Sequence, residues 1–195
     1  MAERRQPPRR AADAPLVRVG LGIDRHPFEA DRPLVLAGVT LPGGPGLRGH
    51  SDADAVLHAV ADALAGAAGL PDIGTRFPGG DPRWRDAPSR RFVDAVCADL
   101  RRDGWAIGNL DVVILAEVPP LAAHLETMRV ALASILGVPP DRVGLKAKRG
   151  EALGFVGKRE GIEVHAVALV TRSGRRAPAA PRRGRRAGRA SGRRR

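Results

Sequence analysis

Three side chains in the first third of the chain are of types that together bind a metal ion. Asp24 and His26 form a D-R-H pair, and His58 follows in the segment H-S-D-A-D-A-V-L-H. In an extended strand, residues two apart point to the same side, so the pair presents a carboxylate and an imidazole together. Three protein ligands with an open fourth position are typical of a catalytic zinc, whereas a structural zinc has four. Asp-x-His pairs are common, however, and most helix histidines are ordinary surface or core residues, so both interpretations stay open.

Two further polar residues stand just before the helix that carries His58. His50 and Ser51 would form a phosphate clamp there, because the backbone N–H groups and the dipole at a helix N-terminus favour an anion. Ser51 is also a natural N-cap, with Asp54 as an acidic variant of the capping-box partner. Asp54 lies one turn before His58, which suggests a second hypothesis: its carboxylate orients that imidazole.

A basic segment near the end of the chain offers a second place for phosphates. In K-A-K-R-G-E-A-L-G-F, residues 146–155, three basic residues stand beside Glu151. The cations could hold phosphates while the carboxylate takes Mg²⁺. The same composition also suits a solvated loop after a strand. Two glycine-rich stretches, G-L-G-I-D and P-G-G-P-G, lack the remaining residues of nucleotide-binding motifs and are interpreted as turns.

The elements that must position these side chains alternate between strands and helices. Apolar residues at three- and four-residue steps, Leu57, Val60, Ala61, Leu64 and Ala68, predict an amphipathic helix after residue 50. Residues 69–84 are predicted to form a long loop, which in a compact domain is functional or disordered. Further helices are predicted at 89–104, capped by Ser89, and at 121–137; strands at 15–24, 32–41 (one strand or a short pair), 109–117, 141–148 and 161–171. The expected fold class is α/β, as a two-layer α+β arrangement with a single mixed sheet covered by helices on one face.

Length and cysteine content limit the class of protein. The 195 residues suit one globular domain with a sizeable core. A single cysteine, Cys97, excludes an intramolecular disulfide framework and a multi-cysteine zinc site, and its place in a helical pattern predicts a buried residue. No apolar run is long enough to span a bilayer and the N-terminus has no signal-peptide pattern, so a cytoplasmic protein with no membrane partner is expected.

The net charge of +12 is concentrated at the ends of the chain. Residues 171–195 contain 11 arginines and no acid, and residues 1–15 contain 4 arginines and 2 acids. The remaining 18 basic and 19 acidic residues leave residues 16–170 at a net charge of −1. We therefore expect a polar leader at 1–15, a folded domain at 16–170 and a disordered Arg-rich tail at 171–195. Such a tail binds polyanions weakly, so weak nucleic-acid contact is expected there.

Six segments in order resemble the 2-C-methyl-D-erythritol 2,4-cyclodiphosphate synthase family of the non-mevalonate isoprenoid pathway. They extend over residues 16–170 and read G-L-G-I-D-R-H, H-S-D-A-D-A-V-L-H, D-I-G-T-R-F-P, G-N-L-D-V-V-I, K-A-K-R-G-E and L-G-F-V-G-K-R-E-G. Several of these motifs are specific, and agreement of all six in order is not expected by chance.

The resemblance implies a reaction, two kinds of cofactor and an assembly. The substrate 4-diphosphocytidyl-2-C-methyl-D-erythritol 2-phosphate would be converted to the 2,4-cyclodiphosphate with release of CMP, by metal-assisted attack of its own 2-phosphate on the β-phosphorus. It implies Zn²⁺ at Asp24, His26 and His58, and Mg²⁺ or Mn²⁺ at Glu151. These four residues and His50 are the five implied catalytic residues. Members are homotrimers around a three-fold axis with active sites between subunits.

The implied contacts are made to the two ends of the substrate. His50, Ser51 and Asp72, with the Ile73–Gly74 backbone, would hold the 2-phosphate end, and a stretch starting at Ala116 would form the cytidine pocket. Substrate contacts are also implied for Lys148, Arg149, Phe155 and Lys158.

The chain departs from the family pattern at the nucleotide end. Members carry a threonine pair where Lys148, Arg149 and Gly150 stand, and the segment with Lys158 and Arg159, which lines the trimer axis in members, is more basic than usual. These changes put the affinity for the nucleotide end in doubt more than the zinc chemistry. Two alternatives stay open: a diverged zinc enzyme of the same fold acting on another nucleotide diphosphate, and a non-catalytic, basic-tailed protein that binds nucleic acid.

Overall fold

The computed structural model describes residues 16–172. The predicted leader, residues 1–15, lies outside the described residues, and so do residues 173–195 of the predicted tail with their expected nucleic-acid contact. The last strand continues to Arg172, so Thr171 and Arg172 belong to the sheet instead of the tail. No helix in the described part of the chain is long and apolar enough to cross a membrane.

Seven strands form two sheets in the described part of the chain: β1 Leu16–Glu29, β2 Leu34–Leu36, β3 Val39–Leu41, β4 Gly46–Leu47, β5 Ala106–Leu115, β6 Val143–Lys148 and β7 Gly161–Arg172. Five of them form a mixed sheet in the order β4-β1-β7-β5-β6, which is one layer of the fold. The strand β1 pairs antiparallel with the whole of β7, from Leu16 opposite Arg172 to Pro27 opposite Gly161, and β5 pairs in parallel with β6. A separate two-stranded hairpin, β2 and β3, corrects the expectation of a single sheet and confirms the short pair.

Three long helices and two short ones accompany the strands between residues 16 and 172. The helices are α1 Ala55–Ala68, α2 Ile73–Arg76, α3 Arg90–Arg102, α4 Leu125–Leu136 and α5 Gly154–Gly157. Single 3-10 turns lie at Pro82–Trp84, Ala122–His124 and Pro140–Arg142. The predicted long loop thus contains α2 and one 3-10 turn, which are too short to produce a hydrophobic period in the sequence.

The start of α1 differs from the prediction. The helix begins at Ala55, and Asp54 is its N-cap, with a carboxylate that accepts from the Leu57 N–H at 3.0 Å. Ser51 lies too far upstream to cap this helix. Asp54 is fully buried and also accepts from the backbone N–H groups of Ala37 and Gly38, so it ties the β2–β3 turn to α1. The hypothesis that the Asp54 carboxylate orients His58 is therefore wrong, because that carboxylate is bonded to backbone N–H groups.

Two glycines of β1 allow α1 to lie directly on the sheet. A Cβ atom at Gly20 would lie 2.0 Å from the Ala63 carbonyl oxygen, and one at Gly22 would lie 1.9 Å from that of Ala59. Any side chain here would push α1 away. The close packing brings His58, the neighbour of Ala59 on α1, next to the end of β1.

The opposite face of the sheet is exposed in the single chain. Residues of β1 that alternate with the two glycines point away from α1, and Val19 and Leu21 are 62% and 60% exposed. Val17, Ile23 and Val167 extend this apolar surface. The helices therefore cover one face of the sheet, as predicted, and leave the other without cover.

Candidate functional site

Asp24, His26 and His58 converge at the end of β1, as the sequence predicts. The Asp24 Oδ2 atom lies 2.9 Å from His26 Nε2 and 3.1 Å from His58 Nδ1. The two imidazole nitrogens are 3.1 Å apart. Within residues 16–172 this is the one group of three or more histidine, cysteine, aspartate or glutamate side chains that could hold a metal ion.

The three side chains of this cluster shift one another's pKa values. Burial opposes ionisation of Asp24, but hydrogen bonds with His26 and His58 outweigh it and hold the pKa of that carboxyl well below its usual range. Burial also acts to lower the pKa of His26, but the hydrogen bond and charge of Asp24 outweigh it and raise that pKa. The cluster is thus an anionic carboxylate between two imidazoles, which suits a cation.

The ring orientation of His26 is fixed from its far side. Its Nδ1 atom lies 2.5 Å from the Arg48 carbonyl oxygen, to which only an N–H can donate. With the proton on Nδ1, the lone pair on Nε2 points into the cluster and can bind a metal. Arg32 holds the loop that follows Arg48, since its guanidinium donates to the backbone carbonyls of Gly49, at 2.6 Å, and Ser51.

A cavity of about 210 Å³ surrounds the metal cluster. It is lined by the three candidate metal ligands and by four further residues that the sequence predicted as site residues: His50, Ser51, Ile73 and Gly74. His50 is exposed at the rim, and a Cβ atom at Gly79 would lie 2.7 Å from its Cδ2 atom, so a larger residue at position 79 would require the His50 ring to move.

One wall of this cavity is aromatic. Phe77 stacks on Phe92 with ring centroids 4.8 Å apart, and Trp84 packs edge-on against Phe77 at 5.1 Å. Phe92 also lies 5.7 Å from the His58 ring. These three residues were not predicted to line the site, because they are separated along the chain and only packing brings them together.

The predicted contacts from α2 have partners inside the chain. The Asp72 carboxylate caps α2, accepting from the backbone N–H and the hydroxyl of Thr75 at 2.9 and 2.7 Å. The Ile73 N–H donates to Asp62 at 2.7 Å. Asp62 lies one turn after His58 on α1, so α1 positions both a metal ligand and the beginning of α2.

A second cavity, of about 390 Å³, lies at the ends of β5 and β6. It contains Ala116, Lys148 and Arg149 of the predicted site, and its other lining residues are Glu117, Val118, Pro120, Leu121, Ala122, Ala147 and Arg159. Arg149 pairs with Glu117, whose carboxylate also accepts from the Gly150 N–H at 3.1 Å. The hydrogen bond from Arg149 lowers the pKa of Glu117.

Four predicted site residues line neither cavity: Asp72, which caps α2, and three residues near the end of the chain. Glu151 is exposed with a φ of 49°, Phe155 is half-buried in α5, and Lys158 is exposed just after it. The two cavities have no lining residue in common. The single chain therefore does not bring Glu151 to the metal cluster.

Two polar residues near His58 were not identified as site residues: Ser89, which is buried, and Asp52, which is half-buried. Ser89 was predicted to cap α3, and it stands at that position without making a side-chain capping bond. Its hydroxyl instead lies 2.8 Å from His58 Nε2, and Asp52 contacts the same hydroxyl. The one sequence signal for either residue was that Asp52 directly follows the predicted site residues His50 and Ser51.

Comparison with known proteins gives consistent matches. The profile of the YgbB family matches residues 17–171. A protein from Burkholderia thailandensis named 2-C-methyl-D-erythritol 2,4-cyclodiphosphate synthase is 49% identical over 155 residues, which are 80% of this chain and 96% of that protein.

Solved structures agree in fold. A 2C-methyl-D-erythritol-2,4-cyclodiphosphate synthase structure in a CDP-bound form aligns with a TM-score of 0.73 and 36% identity, covering 78% of this chain and 99% of that one. The bifunctional IspDF from Campylobacter jejuni aligns with a TM-score of 0.78 and 34% identity over 82% of this chain. This chain spans 43% of that bifunctional protein.

Proposed function

The chain belongs to the YgbB family, with the 2-C-methyl-D-erythritol 2,4-cyclodiphosphate synthases, and on that premise we propose that it catalyses their named reaction. The substrate would be 4-diphosphocytidyl-2-C-methyl-D-erythritol 2-phosphate, and the products the 2,4-cyclodiphosphate and CMP. The observation that carries this proposal is the convergence of Asp24, His26 and His58 in a cavity that also contains His50 and Ser51.

Zinc is the metal that this donor set fits. Bonds of about 2.0–2.1 Å in a tetrahedral site place ligand atoms about 3.3 Å apart, and the three atoms here are 2.9–3.1 Å apart. Two neutral imidazoles and a carboxylate are a usual catalytic set that leaves one position open. When bound, zinc supplies Lewis-acid stabilisation of negative charge on phosphate oxygens.

The proposed reaction needs little proton chemistry from the protein. An oxygen of the 2-phosphate forms a bond to the β-phosphorus, while the bond from that phosphorus to the oxygen bridging the α-phosphate breaks and CMP leaves. The attacking phosphate is already ionised at neutral pH, so no general base is required. Catalysis then depends on holding the attacking and departing oxygens in line and on neutralising charge.

The residues of the metal cavity would hold the methylerythritol end. His50 at the rim can donate to the 2-phosphate, and Ser51, Gly74 and the adjacent Asp72 bound the space around it. The aromatic wall of Phe77, Trp84 and Phe92 would pack against the carbon skeleton and keep water from the reacting phosphorus.

The second cavity would hold the nucleotide end. Its apolar residues, starting at Ala116, would surround the cytosine, and the cations of Lys148 and Arg149 would contact the diphosphate. Since Glu117 binds one side of the Arg149 guanidinium, that group is held at the cavity instead of moving freely. We assign Glu151 to a Mg²⁺ or Mn²⁺ ion, because an exposed carboxylate can bind such an ion together with substrate phosphates.

We further propose a homotrimer with the active site between subunits. A substrate that spans both cavities needs them side by side, and within one chain they share no lining residue. The exposed apolar sheet face around Val19 and Leu21 is of the kind that assembly buries. Val19→Asp should then yield a smaller species by sedimentation, whereas Val130→Asp, at an exposed site on α4, should not. A monomeric wild-type protein would refute the assembly.

The activity is tested by CMP release from the proposed substrate by purified protein with Zn²⁺ and Mg²⁺, followed by phosphorus NMR of the product. Two coupled resonances of a cyclic diphosphate would support the proposal. Asp24→Asn is the matched negative control, because it keeps the shape of the site and removes the anionic ligand. A zinc-loaded wild-type protein that releases no CMP would overturn the assignment of this substrate.

A further inference from the structure

The far side of the His58 ring faces two buried hydroxyl groups. Its Nε2 atom lies 2.8 Å from Ser89 Oγ and 3.1 Å from Ser51 Oγ. Ser89 has no exposed surface and Ser51 is buried. The side of His58 turned away from the metal cluster is therefore enclosed by protein, with a hydroxyl at hydrogen-bond distance.

The direction of these hydrogen bonds follows from the partners of Ser89. Its Oγ lies 2.5 Å from Asp52 Oδ1, and a carboxylate oxygen only accepts, so the hydroxyl proton points to Asp52. The same Oδ1 atom accepts from the Ser89 backbone N–H at 3.1 Å, which fixes Asp52 beside it. With its proton used in this way, Ser89 Oγ can only accept from His58, so Nε2 carries the proton.

We propose that Ser89 and Asp52 are positioning residues that set the tautomer and ring orientation of His58 for metal binding. With the proton on Nε2, the lone pair of Nδ1 is available to a metal ion bound between His58, Asp24 and His26, in place of the hydrogen bond between Nδ1 and Asp24. Hydrogen bonds to the outer nitrogen also raise the basicity of a metal-binding imidazole. The inference rests on the metal site of the proposed function and concerns groups that do not touch the metal.

Ser89 stands at the N-terminus of α3, but its hydroxyl does not cap that helix. A serine that precedes a helix usually caps it by accepting from a backbone N–H two or three residues on. Ser89 precedes α3 and makes no such bond. Its hydroxyl instead connects Asp52, which lies before α1, to His58 inside α1.

Zinc affinity of the full chain, measured by competition with a chromophoric chelator, tests the inference. Ser89→Ala should weaken zinc binding by about 10- to 100-fold, as is usual when a group that orients a metal-binding histidine is lost. Asp52→Asn should cause a smaller loss, since an amide oxygen can still accept. The matched control is Ser134→Ala on the exposed side of α4, which should stay within about twofold of wild type.

A second measurement separates positioning from loss of structure. In the zinc-loaded wild-type protein, nitrogen-15 NMR should show a slowly exchanging Nε2 proton on His58, and Ser89→Ala should speed its exchange while circular dichroism stays unchanged. Zinc affinity of Ser89→Ala within twofold of wild type would overturn the inference and leave the metal site intact. A wild-type protein that binds no zinc would overturn the metal site and this inference together.

Discussion

Replacing Gly22 by alanine should damage the metal site without touching a ligand. The added Cβ atom would lie 1.9 Å from the Ala59 carbonyl oxygen and 2.7 Å from the Ala63 nitrogen. Both obstacles are backbone atoms of α1, so no side chain can rotate away. Since Cβ contacts below 3.0 Å essentially do not occur, α1 must move from β1 by at least about 1.1 Å at Ala59.

That displacement is large for both packing and metal binding. Overpacking a close contact typically costs about 1–3 kcal/mol, and the upper end applies here because the obstacle is backbone. His58 is adjacent to Ala59 and would move with it, away from Asp24 on the strand. A metal site tolerates deviations of only about 0.2 Å in its distances, so zinc affinity should fall at least about tenfold.

Urea unfolding at fixed protein concentration and zinc competition measure both effects. With a slope of about 1–3 kcal/mol per molar urea, the midpoint of Gly22→Ala should fall by about 1 M or more. The control is Gly66→Ala in α1, whose Cβ would meet its nearest atom, Gly20 Cα, at 3.9 Å. It should leave zinc affinity unchanged and raise stability by up to about 1 kcal/mol through helix propensity. A Gly22→Ala protein with wild-type zinc affinity would refute the proposed coupling of helix position to the site.

Three further outcomes follow from the same structure. His58→Ala should lose zinc and activity together, as measured by metal analysis and CMP release; retained stoichiometric zinc would contradict the ligand assignment. Lys148→Thr combined with Arg149→Thr should keep the circular dichroism spectrum and change the KM for the nucleotide substrate, and an unchanged KM would mean that neither cation contacts it. Burial raises the pKa of Cys97 to about 11, above the value of about 8.5 for an exposed thiol, so stability should fall as pH rises from about 9 to 11. A thiol reagent at pH 8 should accordingly label Cys97 only after unfolding, and rapid labelling of the folded protein would contradict its burial.

Periodicity predicted the long elements and missed the short ones. The helices α1, α3 and α4 have enough turns to show a repeat of apolar residues, and the alternation of strands with helices gave the correct class. In contrast, α2 and α5 have four residues each and depend on local capping and tertiary contacts. The sequence also could not show that β1 continues through Pro27, because a proline usually ends a strand or lies in an edge strand.

Prediction of the site succeeded for residues whose chemistry is rare and failed for those whose chemistry is common. Asp24 and His26 stand two residues apart, and His58 lies in one of the few histidine-containing segments of the chain. The structure places the three side chains within hydrogen-bond distance of one another. Ser89 was taken for a helix cap because serine at a helix start normally is one. The burial and hydrogen bonds that distinguish the two uses exist only in the folded chain.

The segment H-S-D-A-D-A-V-L-H combines several separate interactions in nine residues. Asp54 caps α1 and binds the β2–β3 turn, Asp52 binds Ser89, and His58 reaches Asp24 on β1. Because each polar side chain points to a different element, the loop before α1 is held by three independent connections. We therefore expect that loss of any one of them displaces His58 relative to β1 even though only His58 would touch the metal. Zinc affinity should thus respond to substitutions throughout this segment, more steeply at Asp52 than at an exposed position of α1 such as Gly66.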